Sequence, residues 1–455
     1  MSIDIRGYMA AVPEIDRFLT VDELHAGMDQ VASEFPDLAT IERVGSSTLG
    51  EPIRMLTVGS GPRHILLVGC PHPNEPIGAM MLHHLGRLLC EDAALRESLG
   101  YTWHMIPAID VDGTRLNEGW FAGPYTPKNY ARHFYRPAPN QQVEWTFPNS
   151  YKTNYFDRTM PETEALMRLI DDVQPDLIVS LHNAGFGGVY YYLGRELPAV
   201  YPTLTELPSW EDLPLSLGEP EVPFAKTFAP AIFSIISTEE MIDYLEANGA
   251  DISEASYGGS SAGYAAKYGS MHLVTEMAYY DDPRVQDQTP TDVNRRQAIL
   301  ESLERAEEIT AFVSRQLEAV ADDLTAMSPF RNAVTAFNRD AVKNASAERS
   351  WAENDPDTDR PATVAELFSS RQESRFYRLL QVGMLVRMLE GEIAIGNGTP
   401  KIRKHLAESL DAFTTWADEL EADLQYRVVP IRKLVAIHLG STLAVASALL
   451  EDHAG

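Results

Sequence analysis

Cysteine is nearly absent, with only Cys70 and Cys90 in 455 residues. Two thiols cannot supply a disulfide framework, which excludes a small cross-linked secreted fold and points to a reducing, cytoplasmic setting. Uninterrupted apolar runs of about 18 residues are also missing, so no membrane span is expected. The opening MSIDIRGYMAAVPEIDRF has acids where an export signal needs an apolar core, so export is not expected either. Positive charge is scarce: 37 Lys and Arg stand against 66 Asp and Glu, a net charge of −29, and only eight of the bases are lysine. Such a surface repels phosphate backbones and anionic lipid, which sets aside nucleic acid and the membrane as partners. What remains is of globular composition, 44% apolar and 23% charged, and long enough for a large domain with a second region attached.

Residues 1–325 alternate strand-like and helix-like segments. Phe18 to Phe35 reads as a helix, with Thr20 as N-cap and Pro36 beyond its end. Short apolar strands are predicted near residues 41–44, 53–58, 64–69, 101–108, 177–181 and 271–275, with helices near 76–89 and 162–173. Strands separated by helices argue for an α/β sheet covered on both faces. Two irregular stretches, Asn117 to Tyr155 and the proline-rich Leu197 to Pro230, are expected to wall a site, because long loops within a compact domain are mostly functional or disordered. From Pro290 the pattern turns helical, with Ile299, Leu303, Ala306, Ile309 and Val313 on one face. Residues 326–455 read as an all-helical appendage, in which Ile431 to Leu450 is apolar nearly all round and therefore buried.

Three strand ends deliver candidate ligands. HILLVG runs into Cys70-Pro71-His72-Pro73-Asn74-Glu75, DLIVS into Leu181-His182-Asn183, and MHLVT into Glu276. Ligands bind at the carboxyl ends of strands in open α/β sheets. Two histidines and a carboxylate leave the fourth tetrahedral position of a zinc ion open for water, the arrangement of catalytic sites. A further carboxylate can take that water's proton. Singly each element is weak, since a strand-end histidine is more often a hydrogen-bonded structural residue. His83, His84, His438 and Cys70 are read as ordinary core residues on that ground.

Other motifs keep step with these. Val44-Gly45-Ser46-Ser47 and Gly50-Glu51-Pro52-Ile53 precede the first loop, and Ile106-Pro107-Ala108-Ile109-Asp110-Val111-Asp112-Gly113 follows it. Pro161-Glu162-Thr163-Glu164-Ala165-Leu166 opens a helix, and Gly258-Gly259-Ser260 stands shortly before Glu276. In this order they resemble the zinc metallocarboxypeptidase family, the M14 or carboxypeptidase A-like peptidases, from about Tyr8 to Arg284. The resemblance implies a mixed twisted sheet flanked by helices, one zinc ion held by His72, Glu75 and His182, and Glu276 as general base. It implies Arg136 as the arginine that steadies the oxyanion, with Arg132 and Arg115 behind it as substrate-binding candidates.

The chain also departs from that family. Asp110 stands where Asn is usual. The Asn-Arg pair that binds a terminal carboxylate in D-x-N-R-x-F is replaced by Val143-Glu144-Trp145-Thr146-Phe147-Pro148. One alignment puts Glu144 where an acid orients a zinc-bound histidine; the other puts Glu144 and Trp145 in place of Asn and Arg. Asp292-Val293-Asn294-Arg295 spells the motif but follows Glu276, and is expected to cap a helix through Asp292. Glu254 takes the place of a substrate-capping Tyr, for which Tyr257 is the substitute. Ser261, small and neutral at the usual base of the side-chain pocket, implies that basic side chains are not selected there. The expected activity is zinc-dependent hydrolysis, by a carboxypeptidase acting on peptides or by an amidohydrolase acting on N-acyl amino acids. A non-catalytic peptide-binding module is the reading from another class, and the presence of all three ligands and the base argues against it.

Overall fold

The computed structural model describes residues 3–249 and 258–452. Among the described residues nine strands form the main sheet: β1 (Ala39–Ser46), β2 (Pro52–Val58), β3 (Arg63–Val68), β4 (Tyr101–Ile106), β5 (Leu177–Leu181), β6 (Tyr190–Leu193), β7 (Thr227–Ala229), β8 (Ile232–Ser234) and β9 (Met271–Glu276). Their order across the sheet is β1-β2-β4-β3-β5-β9-β6-β8-β7. The central four, β4, β3, β5 and β9, are parallel, while β1, β2 and β6 join antiparallel. The helices that frame the site and its surroundings are α1 (Val21–Glu34), α2 (Ile77–Glu91), α3 (Val111–Asn117), α4 (Pro127–His133), α5 (Pro161–Val173), α6 (Ser261–Ala265), α7 (Arg295–Val320), α8 (Pro329–Asn354), α9 (Ser374–Ala394), α10 (Pro400–Asp423) and α11 (Ile431–Asp452).

Local chemistry explains several of these elements. Thr20 caps α1 with a reciprocal bond to Glu23, which starts the helix at Val21, after the Phe18 read from periodicity. β3 is apolar at every central position because both of its faces are covered. Ile65 and Leu67 enter one core, and Leu66 and Val68 the other. α5, with Leu166 and Ile170, packs on the second face together with Ala265 of α6.

The C-terminal helices share the first core with the sheet. Leu385 of α9 and Val435 of α11 belong to the same apolar cluster as Leu67 and Leu177. Two short strand segments also tie this region back: Pro361–Thr363 pairs with Pro290–Asn294, and Arg427–Val428 with Ala278–Asp281. α11 lies against the sheet, where Tyr101 Oη donates to the Ala446 carbonyl at 3.1 Å and the Thr275 and Ser441 hydroxyls meet at 2.8 Å. By length and composition α11 could cross a membrane, contrary to the expectation from the sequence; here 78% of its apolar stretch is enclosed by protein. Burial on all sides is why its polar face is missing.

Candidate metal centre

The chain moves from β3 to β4 on one side and then lays β5 on the other side of β3. A crevice opens outside the strand ends at such a reversal. His72 and Glu75 come from the loop after β3, His182 follows β5 directly, and Glu276 ends β9. Gly69 passes so close to the next strand's exit that a Cβ would stand 2.4 Å from the Pro107 carbonyl oxygen. Cys70 then adopts a left-handed backbone, φ 48°, which is uncommon for a residue with a side chain.

His72 Nδ1 lies 3.1 Å from Glu75 Oε1, His182 Nδ1 lies 3.0 Å from Glu75 Oε2, and the two Nδ1 atoms are 3.0 Å apart. All three residues are buried. Zinc ligands about 2.0–2.1 Å from a tetrahedral centre stand about 3.3 Å from one another, so this donor set fits zinc after a small expansion and leaves one position open. Burial, and then the Arg136 charge, pulls the His72 imidazole down to about 4, which keeps the ring neutral and its lone pair available at pH 7. Glu276 Oε1 is 4.0 Å from His182 Nδ1. Burial, reinforced by the Glu75 and Glu221 charges, raises its carboxyl well above the ordinary range.

A short relay holds His182. Ser180 Oγ is 2.9 Å from His182 Nε2 and donates to Glu144 Oε1. With Nδ1 turned to the centre, Nε2 carries the ring proton and donates to Ser180, whose own proton goes to the carboxylate. Glu144 is buried, and although burial raises its carboxyl, His182 and the Ser180 bond hold it below the usual range. It therefore faces the underside of His182 and offers nothing to a substrate carboxylate. Ser180 is not among the residues that motif and spacing single out, yet strand alternation places it on the same face as His182, two residues on.

Of the three candidate arginines, Arg136 reaches the centre. Its Nη1 is 3.3 Å from Glu75 Oε1, its Nη2 is 2.7 Å from His72 Nε2, and its Nε donates to Gln142 at 3.3 Å. Arg115 on α3 instead pairs with Asp22 at 2.8 Å and Glu51 at 3.2 Å, and Arg132 on α4 with Glu390 at 2.5 Å. Asp22 lies on α1 and Glu390 on α9, so both guanidiniums are engaged away from His72 and Glu75. Ser261 is also corrected: it is the first residue of α6, only 2% exposed, with its hydroxyl on Glu144 Oε2 at 2.9 Å and His272 Nε2 at 3.1 Å. It lies beneath the site and says nothing about side-chain selection. Glu254 and Tyr257 fall outside the described residues. The Asp292 cap moves as well, since Asn294 accepts from Gln297 N at the start of α7. Arg295 is buried between Glu219 and Asp357, each at 2.5 Å, a structural role for that motif.

Asp110, at the position where the family has Asn, caps α3 by accepting from Gly113 N at 2.8 Å. Burial, with help from the Glu162 and Asp112 charges, pushes its carboxyl up to about 7 from an ordinary 3.8. Between those values the native state holds a proton that the unfolded chain has released, so this group costs stability progressively as pH rises through the window. Asp110→Asn is expected to melt with wild type near pH 4 and at a higher temperature above pH 7. Parallel melting curves across that range would show that the carboxyl is not perturbed.

A family model described as zinc carboxypeptidase matches residues 24–284, more than half of the chain. Among curated proteins, carboxypeptidase E of Caenorhabditis elegans is 28% identical over 110 residues, 21% of this chain and 23% of that protein. Carboxypeptidase B of Astacus astacus is 27% identical over 97 residues, 20% of this chain and 32% of that protein. The chain thus matches under a third of the length of these relatives. Among solved structures, the likeness to carboxypeptidase A from Helicoverpa armigera covers 75% of both chains at 13% identity, with a TM-score of 0.40.

Proposed function

The chain belongs to the zinc carboxypeptidase family, and we propose that it is a zinc-dependent peptidase that removes residues from the C-termini of peptides, with one zinc ion per chain. The observation that carries this reading is the buried His72, Glu75 and His182 triad with Glu276 4.0 Å from His182 Nδ1, all within the matched segment. Bound there, zinc would polarise the scissile carbonyl as a Lewis acid and lower the pKa of water. Glu276 takes the proton of the attacking water and hands it to the departing amine. Arg136 presents N–H donors to the oxygen that gains charge as water adds. With Nδ1 holding a metal, His72 would carry its proton on Nε2 and would not accept from Arg136 Nη2, which would leave that donor for substrate while Nε stays on Gln142. Ser180 and Glu144 keep the His182 ring in the required tautomer and orientation. The test is to measure zinc content and the products formed from a mixed peptide pool. One zinc per chain and stepwise release of C-terminal residues support the reading; internal cleavage, or release from N-acyl amino acids alone, overturns it.

The missing carboxylate anchor has its own consequence. The loop at Val143 to Pro148 turns Glu144 inward, and Arg115 and Arg132 are engaged elsewhere. A charge-assisted bond to a terminal carboxylate is worth about 1.5–3 kcal/mol, or about 10- to 150-fold in discrimination. Without it, paired substrates differing only in a free or amidated C-terminus are expected to be turned over at comparable rates. A strong preference for the free acid would place the anchor on another cation, with Arg136 the first to mutate.

A further inference from the structure

The sheet face that carries Glu276 also carries two tyrosines that hold a carboxylate. On adjacent strands, directly opposed residues point to the same face. Tyr190 of β6 is opposite Glu276 of β9, and Tyr192 is opposite Val274. The two tyrosines form an edge-to-face pair, 5.9 Å between ring centres, in an apolar cluster with partly exposed Val274 and Ile235. Their hydroxyls converge on one residue of the long loop between residues 197 and 230: Tyr190 Oη donates to Glu221 Oε1 at 2.7 Å and Tyr192 Oη to Glu221 Oε2 at 2.8 Å.

Each Glu221 oxygen thus accepts one neutral hydrogen bond and keeps a free lone pair. Among the described residues no Lys, Arg or His pairs with it, unlike Glu211, which meets Arg432, or Glu219, which meets Arg295. The carboxylate is exposed to solvent, held by the hydroxyls of two buried tyrosines and not paired with any described cation. Burial, and then the nearness of Glu221, pushes the neighbouring Glu373 up to about 7, which relieves part of the repulsion that two adjacent carboxylates would otherwise feel.

With Glu276 passing its proton to the departing amine, the residue being released would lie on the Glu276 side, the side of Val274, Tyr190 and Tyr192. We propose, building on the peptidase reading, that Glu221 is the specificity residue of this enzyme and selects a leaving residue with an aliphatic stem and a cationic end, of the lysine or arginine kind. The tyrosine rings contact the stem, and Glu221 receives the ammonium or guanidinium. This reverses the preference inferred from Ser261, which the fold buries beneath His182.

The experiment pairs N-acylated dipeptides ending in lysine and in norleucine, which share a four-carbon stem and differ in the ammonium. It also titrates free lysine and free norleucine into the zinc-loaded protein by calorimetry. In wild type the kcat/KM ratio of lysine to norleucine substrates is expected to be about 10- to 150-fold, the scale of a charge-assisted hydrogen bond. Glu221→Gln brings that ratio toward one; should this variant fail to fold, the double change Tyr190→Phe and Tyr192→Phe lowers the ratio by releasing the carboxylate. Turnover of norleucine substrates as fast as lysine overturns the subsite and leaves the peptidase standing, and a ratio that neither set of variants moves overturns Glu221. A protein that cleaves neither substrate but binds lysine over norleucine, with the difference lost in Glu221→Gln, overturns the peptidase reading and keeps the subsite. Absence of both turnover and selective binding overturns the two together.

Discussion

His182→Ala is expected to lose its metal and its turnover together. The proposed centre draws on three side chains, and two of its three short edges, the 3.0 Å contacts to Glu75 Oε2 and to His72 Nδ1, end on His182. Removing that ring leaves His72 and Glu75, three residues apart on one loop, as a two-donor site open to water, far below the three protein ligands that catalytic zinc uses. It also strands Ser180 and the buried Glu144 without the group they orient. Zinc per chain, measured after dialysis against a weak chelator, should fall from one to near zero, with activity at background. A variant that keeps stoichiometric zinc would remove this centre from consideration. Ser180→Ala is the graded control: it leaves all three ligands and should weaken zinc by about 10- to 100-fold, the usual cost of losing a group that orients a ligand.

Glu276→Gln should separate binding from chemistry. The amide preserves shape and the β9 pairing to Tyr190, so the fold and the zinc content are expected to stay as in wild type. It cannot accept a proton, and general-base catalysis contributes about 10² to 10⁴ in rate. A fall in kcat of at least about a hundredfold, with KM little changed, is therefore expected. The carboxylate stands 4.0 Å from His182 Nδ1, close enough to serve a water lodged between it and the centre. Retained turnover would show that Glu276 is structural, and the proposed mechanism would be wrong. Comparing the two variants is informative in itself, since one loses metal and rate while the other loses rate alone.

Several features of the fold can be read along the chain because the forces that set them are local. Thr20 and Glu23 cap α1 within four residues of each other. The continuous apolar run of β3 announces a strand covered on both faces, and the strand ends at His72, His182 and Glu276 come from where those runs stop. The H-x-x-E spacing keeps two donors on one loop whatever the rest of the chain does. Even Ser180 is within reach of such reasoning, because alternation along β5 fixes which residues share a face. The cap of α7 falls on Asn294 rather than Asp292 because the strand before it runs two residues longer, held by Pro361–Thr363 from a distant segment.

What the sequence by itself determined is therefore the α/β alternation, the family and the residues that meet at the strand ends. Which arginine belongs to the site was decided elsewhere. Arg115, Arg132 and Arg136 are alike as side chains, and only the packing of α3 and α4 against α1 and α9 turns two of them into ion pairs and leaves the third on His72. Linear position puts Ser261 at a substrate pocket and leaves Glu144 between two roles, whereas the tertiary fold closes both into one buried network beneath His182. Glu221 carries no signal at all along the chain; a proline-rich loop places it over two tyrosines that β6 presents beside β9. The physical reason is the same in each case. Periodicity, caps and strand ends are set by neighbours a few residues apart, but the partner of a charged side chain on a loop is set by whichever distant segment packs there, and that is fixed only when the core closes.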